Sequence, residues 1–158
     1  ELGITFSEEK VLNLTKETKD ILPNVPLSVT VPHTIPIDRQ VDLAVKLAFE
    51  GVDIIQTEGG KSSNPYKSGI QGLFEKAVPT LTATFAISKE FEKQSILIPI
   101  MSASGLSEVT CPLALSCGAS AVGVGSVVNK LDDLISMIAT VRGLKESLKN
   151  SIIKEKIS

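Results

Sequence analysis

The residues best suited to chemistry lie in four short clusters, each where a β-branched or apolar run gives way to small polar residues. They are His33-Thr34, then Gln56-Thr-Glu58-Gly-Gly-Lys61, then Ser102-Ala-Ser104-Gly105, and last Gly123-Val-Gly125-Ser126. His33 is the only histidine of the chain. An imidazole titrates near neutrality, so His33 is a candidate general acid–base or anion contact. Glu58 is a candidate acid or base, or a partner for a substrate cation, with Lys61 as its electrostatic neighbour. Plainer readings stand beside these: a hydrogen-bonded rim residue for His33, and a surface ion pair for Glu58 and Lys61.

The last two clusters form a candidate anion grip. Phosphate-binding barrels hold the ligand on glycine-rich turns after their last two strands, with a short helix aiming its N-terminus at the same point. Ser104, Gly105, Gly123, Gly125 and Ser126 match that order and spacing, and a Cβ at the glycines would block backbone approach to an anion. The competing reading is that these glycines only make tight turns and close helix–strand packing. The sequence shows no dinucleotide fingerprint, because GxGS at 123–126 lacks the third glycine and the later acidic residue. No nucleophile elbow, Walker loop or Ser-His-Asp arrangement occurs either. One histidine with few carboxylates around it cannot build a zinc triad, and Cys111 and Cys117, six apart, fall on different faces of a helix. No metal and no cofactor are expected; both cysteines read as buried and reduced, which hints at a reducing compartment.

These clusters require strands that deliver them to one rim. Ser7 with Glu8 and Glu9 marks a helix start, and Val11, Leu12, Leu14, Ile21 and Leu22 give its stripe, stopped by Pro23. A strand is expected over 26–31. Asp38 is the expected cap of a second helix, ended by Gly51 at the position where only glycine is cheap. A strand over 52–57 follows, then a polar loop over 61–73. The segment 74–91 is ambiguous between strand (threonines, Phe85) and helix (length, alanines). A helix is expected, since parallel strands need a crossover. Residues 96–101 are apolar at nearly every position, as in a strand buried on both faces. A short helix capped by Thr110 or Ser107 follows, then a strand over 120–125. The last helix is expected from about 129 to 149, with Leu131, Leu134, Ile135, Ile138, Val141 and Leu144 inward, and residues 151–158 as a frayed tail. Asp53 is read as a structural partner near its strand's start. Alternating helices and buried strands imply an α/β fold with a parallel sheet, organised as one domain.

Composition narrows the function. An apolar fraction of 42% with 22% charged residues is that of a globular protein with a real core. A net charge of −2 with dispersed lysines argues against nucleic acid. No run approaches the ~18 apolar residues that span a membrane. The chain opens on Glu1, as a fragment or processed form would. It carries only two arginines, Arg39 and Arg142, against fourteen lysines, a skew that suits an AT-rich genome such as a plastid's.

The stretches LSVTVPHTIPIDRQVDLAVKLAFEGVDIIQTEGG, EKAVPTLTATFAISKEF, IPIMSASGLSEVTCPLAL and GASAVGVGSVVN together carry a resemblance. The chain resembles the hypothetical chloroplast open reading frame 23 family of algal plastids and cyanobacteria, over about residues 6–141. Val31-Pro-His33, Gln56-Thr-Glu-Gly-Gly60 and Ser102-Ala-Ser-Gly105 are the specific motifs. The resemblance implies a TIM barrel, of which this chain would supply strands five to eight, a half-barrel whose opening helix follows strand four. It implies a location in the plastid stroma and, by analogy with phosphate-sugar epimerases, a phosphorylated small molecule at the rim. The catalytic part of that analogy departs here, since those enzymes carry an acidic residue on the penultimate strand where this chain has Ser102-Ala-Ser104. Three roles are compatible with these expectations. They are an isomerase, epimerase or aldolase-like enzyme acting through Glu58, His33 and Lys61, a non-catalytic metabolite-binding or regulatory protein, and a fragment that self-associates through its open sheet edges.

Overall fold

In the computed structural model, residues 6–59 and 65–155 are described, with 150–155 as helical backbone only. Helix α1 spans Glu8–Ile21. The Ser7 hydroxyl accepts from the Lys10 N–H, and Glu8 and Glu9 face the positive end of the helix dipole. Strand β1 is Ser28–Val31, helix α2 Ile37–Phe49 and strand β2 Ile54–Thr57. Helix α3 runs Gly69–Gln94, β3 is Ile100–Ala103, α4 Cys111–Ser116 and β4 Ala121–Gly123. A single-turn helix α5, Ser126–Asn129, and a long α6, Leu134–Glu155, complete the order.

All four strands are parallel and neighbours in chain order, β1-β2-β3-β4. A doubly wound sheet reverses its strand order at the centre. This one winds in a single direction, as barrel sheets do. Its register aligns Val31, Thr57, Ser102 and Val122 in one row, and Thr30, Gln56, Met101 and Ala121 in the next. Alternation along each strand sends the two rows to opposite faces. The first face is roofed by α2 and α3: Val31, Ile55, Ile100, Leu43, Leu47, Ile87 and Phe91 form one buried cluster. Among the described residues no helix roofs the second face, and its central row is half-buried to exposed.

Between α3 and the sheet lies a column of hydroxyls. Thr84 Oγ1 sits 2.9 Å from Thr57 Oγ1, from Ser102 Oγ and from the Thr80 carbonyl. Thr57, Thr80, Thr84 and Ser102 are all fully buried, and buried hydroxyls are tolerated only with partners. At the other end of the sheet, the Asp53 carboxylate accepts from the Leu27 N–H at 2.7 Å and pairs with Lys19 Nζ at 2.6 Å. Asp53 therefore ties α1 to the start of β2, the structural role expected of it.

Several expected boundaries move, each for a local reason. Asp38 does not cap α2; it lies in the first turn, and Pro36, with φ −55°, is the entry residue. The third strand is not 96–101. Pairing starts at Ile100, because Pro99 has no N–H to give a ladder and only its carbonyl bonds, to Ile55 N–H at 3.1 Å. The expected loop over 61–73 ends early, since α3 begins at Gly69 and accommodates Pro79 within it. The fourth strand shortens to Ala121–Gly123. The last helix splits, because Asp133 accepts from the Ser136 N–H at 2.8 Å and starts α6 afresh. Leu144 is buried as expected, but Leu134 and Ile135, expected inward, are 71% and 81% exposed.

Removing the Thr84 hydroxyl by Thr84→Val keeps the shape and strands the Thr57 and Ser102 hydroxyls. The expected loss is about 1–3 kcal/mol in urea unfolding, and a loss below about 0.5 kcal/mol contradicts the hydroxyl column. For Asp53, the Lys19 side chain and then the Leu27 N–H hold the carboxyl below the ordinary carboxylate range. A lowered folded value means the stabilisation is complete above the ordinary carboxylate pKa, about 4, and is lost as pH falls through the folded value. Wild-type stability therefore falls more steeply on acidification than that of Asp53→Asn; parallel profiles contradict the assignment.

Candidate functional site

The C-terminal ends of the four strands meet along one rim, which is where ligands bind in parallel α/β folds. The pairing of Val31 with Thr57 puts the exits of β1 and β2 side by side. Two residues past Val31 is His33, and one past Thr57 is Glu58. Glu58 Oε1 accepts from the His33 backbone N–H at 3.3 Å and lies 2.9 Å from His33 Nδ1. Both side chains are partly open to solvent, 24% for His33 and 34% for Glu58. A carboxylate only accepts, so this bond places the proton on Nδ1 and leaves Nε2 of the neutral ring as the basic nitrogen. The two residues that sequence spacing separated by twenty-five positions are thus one unit, and Glu58 is bound to His33. Lys61 lies outside the described residues.

The exit of β3 is shaped from behind by α3. Thr80 Oγ1 donates to the carbonyls of Ala103 and Ser104, at 3.0 and 2.9 Å. Ser104 and Gly105 both take positive φ, 74° and 72°, a conformation that costs a non-glycine residue energy and needs such support. A Cβ on Gly105 would clash with the Lys76 carbonyl, and one on Gly59 would meet Thr80 Oγ1 at 2.6 Å. At Gly123 the nearest atom to an added Cβ would be the Ala103 Cβ, at 3.0 Å. Close packing therefore accounts for Gly59, Gly105 and Gly123. Gly125 differs: an added Cβ meets nothing within 4 Å, and both it and Ser126 are exposed. They open α5, whose first N–H groups have no acceptor within the helix.

Sequence reading missed Thr80 and Thr84. The signal was present, since Thr80, Thr84 and Ser88 recur every four residues and share one helix face. Cys111 is buried and Cys117 only half-buried; burial pushes the Cys111 thiol up to about 11 and raises that of Cys117 as well, which disfavours the reactive thiolate. Among the described residues no three of His, Cys, Asp and Glu cluster as a metal site would require, and no helix is long and apolar enough to cross a membrane.

Solved structures carry a similar fold. The chain superposes on the YdjI aldolase of Escherichia coli K12 with a TM-score of 0.51 at 16% identity, covering 96% of this chain and 55% of that one. The α/β fold thus has a barrel-type aldolase as its structural neighbour. Among sequences, the chain is 35% identical to the "Uncharacterized protein ycf23" of Porphyra purpurea, with all of this chain and 62% of that protein aligned. The protein of the same name in Pyropia yezoensis is 34% identical, with 60% of it spanned, and that of Cyanophora paradoxa 36%, with 58% spanned. The chain thus spans about three fifths of the length of these relatives, which come from plastid-bearing organisms. A family model described as "Protein of unknown function (DUF561)" matches residues 1–154, and with these relatives it shows that the chain belongs to the DUF561, or ycf23, family.

Proposed function

We propose that this chain forms half of a barrel, corresponding to strands five to eight, whose rim binds a phosphorylated small molecule. Proton transfer by His33 then drives an isomerase- or lyase-type reaction on that molecule in the plastid stroma. The observation that carries the reading is the Glu58–His33 pair at the exits of β1 and β2. Glu58 takes both the ring Nδ1–H and the backbone N–H, so the imidazole is aimed while Nε2 stays available to accept a proton beside a carbonyl. Phosphate would sit against the first N–H groups of α5 at Gly125 and Ser126, where no side chain intrudes, with Ser104, Gly105 and Gly123 shaping the floor. The aldolase neighbour supports the barrel-type fold, not the reaction.

A second reading follows from the same bond. Glu58–His33 also locks two strand exits together, which suits a metabolite-binding or regulatory protein without turnover. Thermal-shift screening with a panel of sugar phosphates tests the binding step. At least one compound stabilises the chain, and Ser126→Asp, which sets a carboxylate at the start of α5, removes that stabilisation while leaving the unliganded melting point nearly unchanged. No stabilisation by any compound counts against phosphate binding. Once a turnover assay exists, Glu58→Gln and His33→Ala separate the two readings. Both residues are half-exposed, so each substitution is expected to cost at most about 1 kcal/mol of stability. Loss of turnover by about a hundredfold or more marks the enzyme, whereas weakened binding alone marks the regulator.

A further inference from the structure

Helix α3 runs against the strands, with its early turns at the rim and its last turns at the strand starts. Ser88, Thr84 and Thr80 follow one another at intervals of four along one face of it, and Lys76 is the next position. Thr84 bonds Ser102 within β3, and Thr80 bonds the carbonyls of Ala103 and Ser104 where that strand ends. One turn further, at Lys76, the same face has passed the end of the strand. A Cβ on Gly105 would have the Lys76 Cγ at 3.5 Å, so the lysine stem lies along the β3 exit. Helical side chains lean toward the N-terminus, which here is the rim, and a lysine buries its stem while its head reaches solvent.

The surroundings of Lys76 set it apart. Of the described lysines only Lys19 and Lys76 are half-buried. Lys19 has the Asp53 carboxylate at 2.6 Å, as a cation withdrawn from water requires. Lys76 has no carboxylate partner among the described residues, and the adjacent Glu75 instead accepts from the Lys67 N–H at 3.1 Å. Beside Lys76 stands Ser104, exposed and held at positive φ, whose hydroxyl has no hydrogen bond among the described residues. We infer that Lys76 is the anion-binding residue of the rim: its ammonium takes the phosphate of the bound molecule at the β3 exit, and the Ser104 hydroxyl donates to another oxygen of that group. The inference rests on the phosphate-binding reading above and supplies the positive charge that backbone amides alone lack. Ala103 pairs with Gly123, so the exits of β3 and β4 stand about 5 Å apart, and one phosphate group can lie between Lys76 and the Gly125–Ser126 backbone.

The test titrates the whole chain with inorganic phosphate and with the sugar phosphate panel, as wild type, Lys76→Met and Lys76→Arg. Methionine keeps the stem over Gly105 and removes the charge, so the melting point of the unliganded chain stays nearly unchanged. Affinity is expected to fall at least about tenfold in Lys76→Met, with a shallower dependence on salt, and to return largely in Lys76→Arg. In the wild-type chain, bound sugar phosphate should slow reductive methylation of Lys76 but not of Lys16 or Lys93, a measurement that holds even if Lys76→Met fails to fold. Binding to Lys76→Met as tight as to wild type, with the same salt dependence, overturns the inference and leaves phosphate binding standing. A loss of binding that Lys76→Arg does not restore, with Lys76 unprotected in the wild type, also overturns it, by marking packing rather than charge. A wild-type chain that none of the phosphate compounds binds overturns the phosphate-binding reading and this inference with it.

Discussion

The hydroxyl column on α3 sets where that helix stands against β2 and β3. Thr84 joins β2 to β3 through Thr57 and Ser102, and one turn earlier Thr80 holds the two carbonyls where β3 ends. A buried sheet–helix interface made only of aliphatic side chains would tolerate a one-residue slip of the helix by repacking. Hydroxyls do not, because each slip would leave a buried polar group without its partner. The column therefore fixes how far α3 stands along the strands, and with it the height of the rim. Gly59, with no room for a Cβ beneath Thr80 Oγ1, closes the same register from the β2 side.

That fixed height lets short strands make a site. Each strand is only three or four residues long, so the candidate residues lie just beyond the ladder, where backbone is otherwise poorly restrained. At β3 the restraint is Thr80, which supports successive positive φ angles at Ser104 and Gly105. At β1 and β2 it is the Glu58–His33 bond itself. The glycines of the rim divide accordingly. Those at 59, 105 and 123 are there because neighbouring atoms leave no space, whereas Gly125 opens outward at the start of α5.

Much of the fold was legible from periodicity and punctuation. Gly51 and Gly118 adopt positive φ at the ends of their helices, Ser7 caps α1, and the small polar residues do mark strand exits. What escaped had physical causes. Threonines at 80, 82 and 84 argue for a strand by propensity, yet in α3 two of them turn inward to bond the sheet, a tertiary use no local scale contains. The apolar run at 96–99 looked like strand because hydrophobicity does not report ladder pairing, which Pro99 delays. Leu134 and Ile135 looked like core because an apolar helical stripe does not report which of its residues a neighbouring element covers. Of the candidate site, the small polar residues of the sequence marked the strand exits, but only the register of β1 on β2 could show that Glu58 and His33 are bonded to each other.

We propose that the rim of strand exits is a ligand site built around His33 and the start of α5. The most direct test is a titration of the nitrogen-15-labelled chain with inorganic phosphate and with a sugar phosphate, following backbone amides and the single imidazole together. The expected result is saturable shifts of the Gly125 and Ser126 amides, with the His33 ring responding to the sugar phosphate at the same concentration. Shifts scattered over surface lysines, or an unmoved rim, would contradict it.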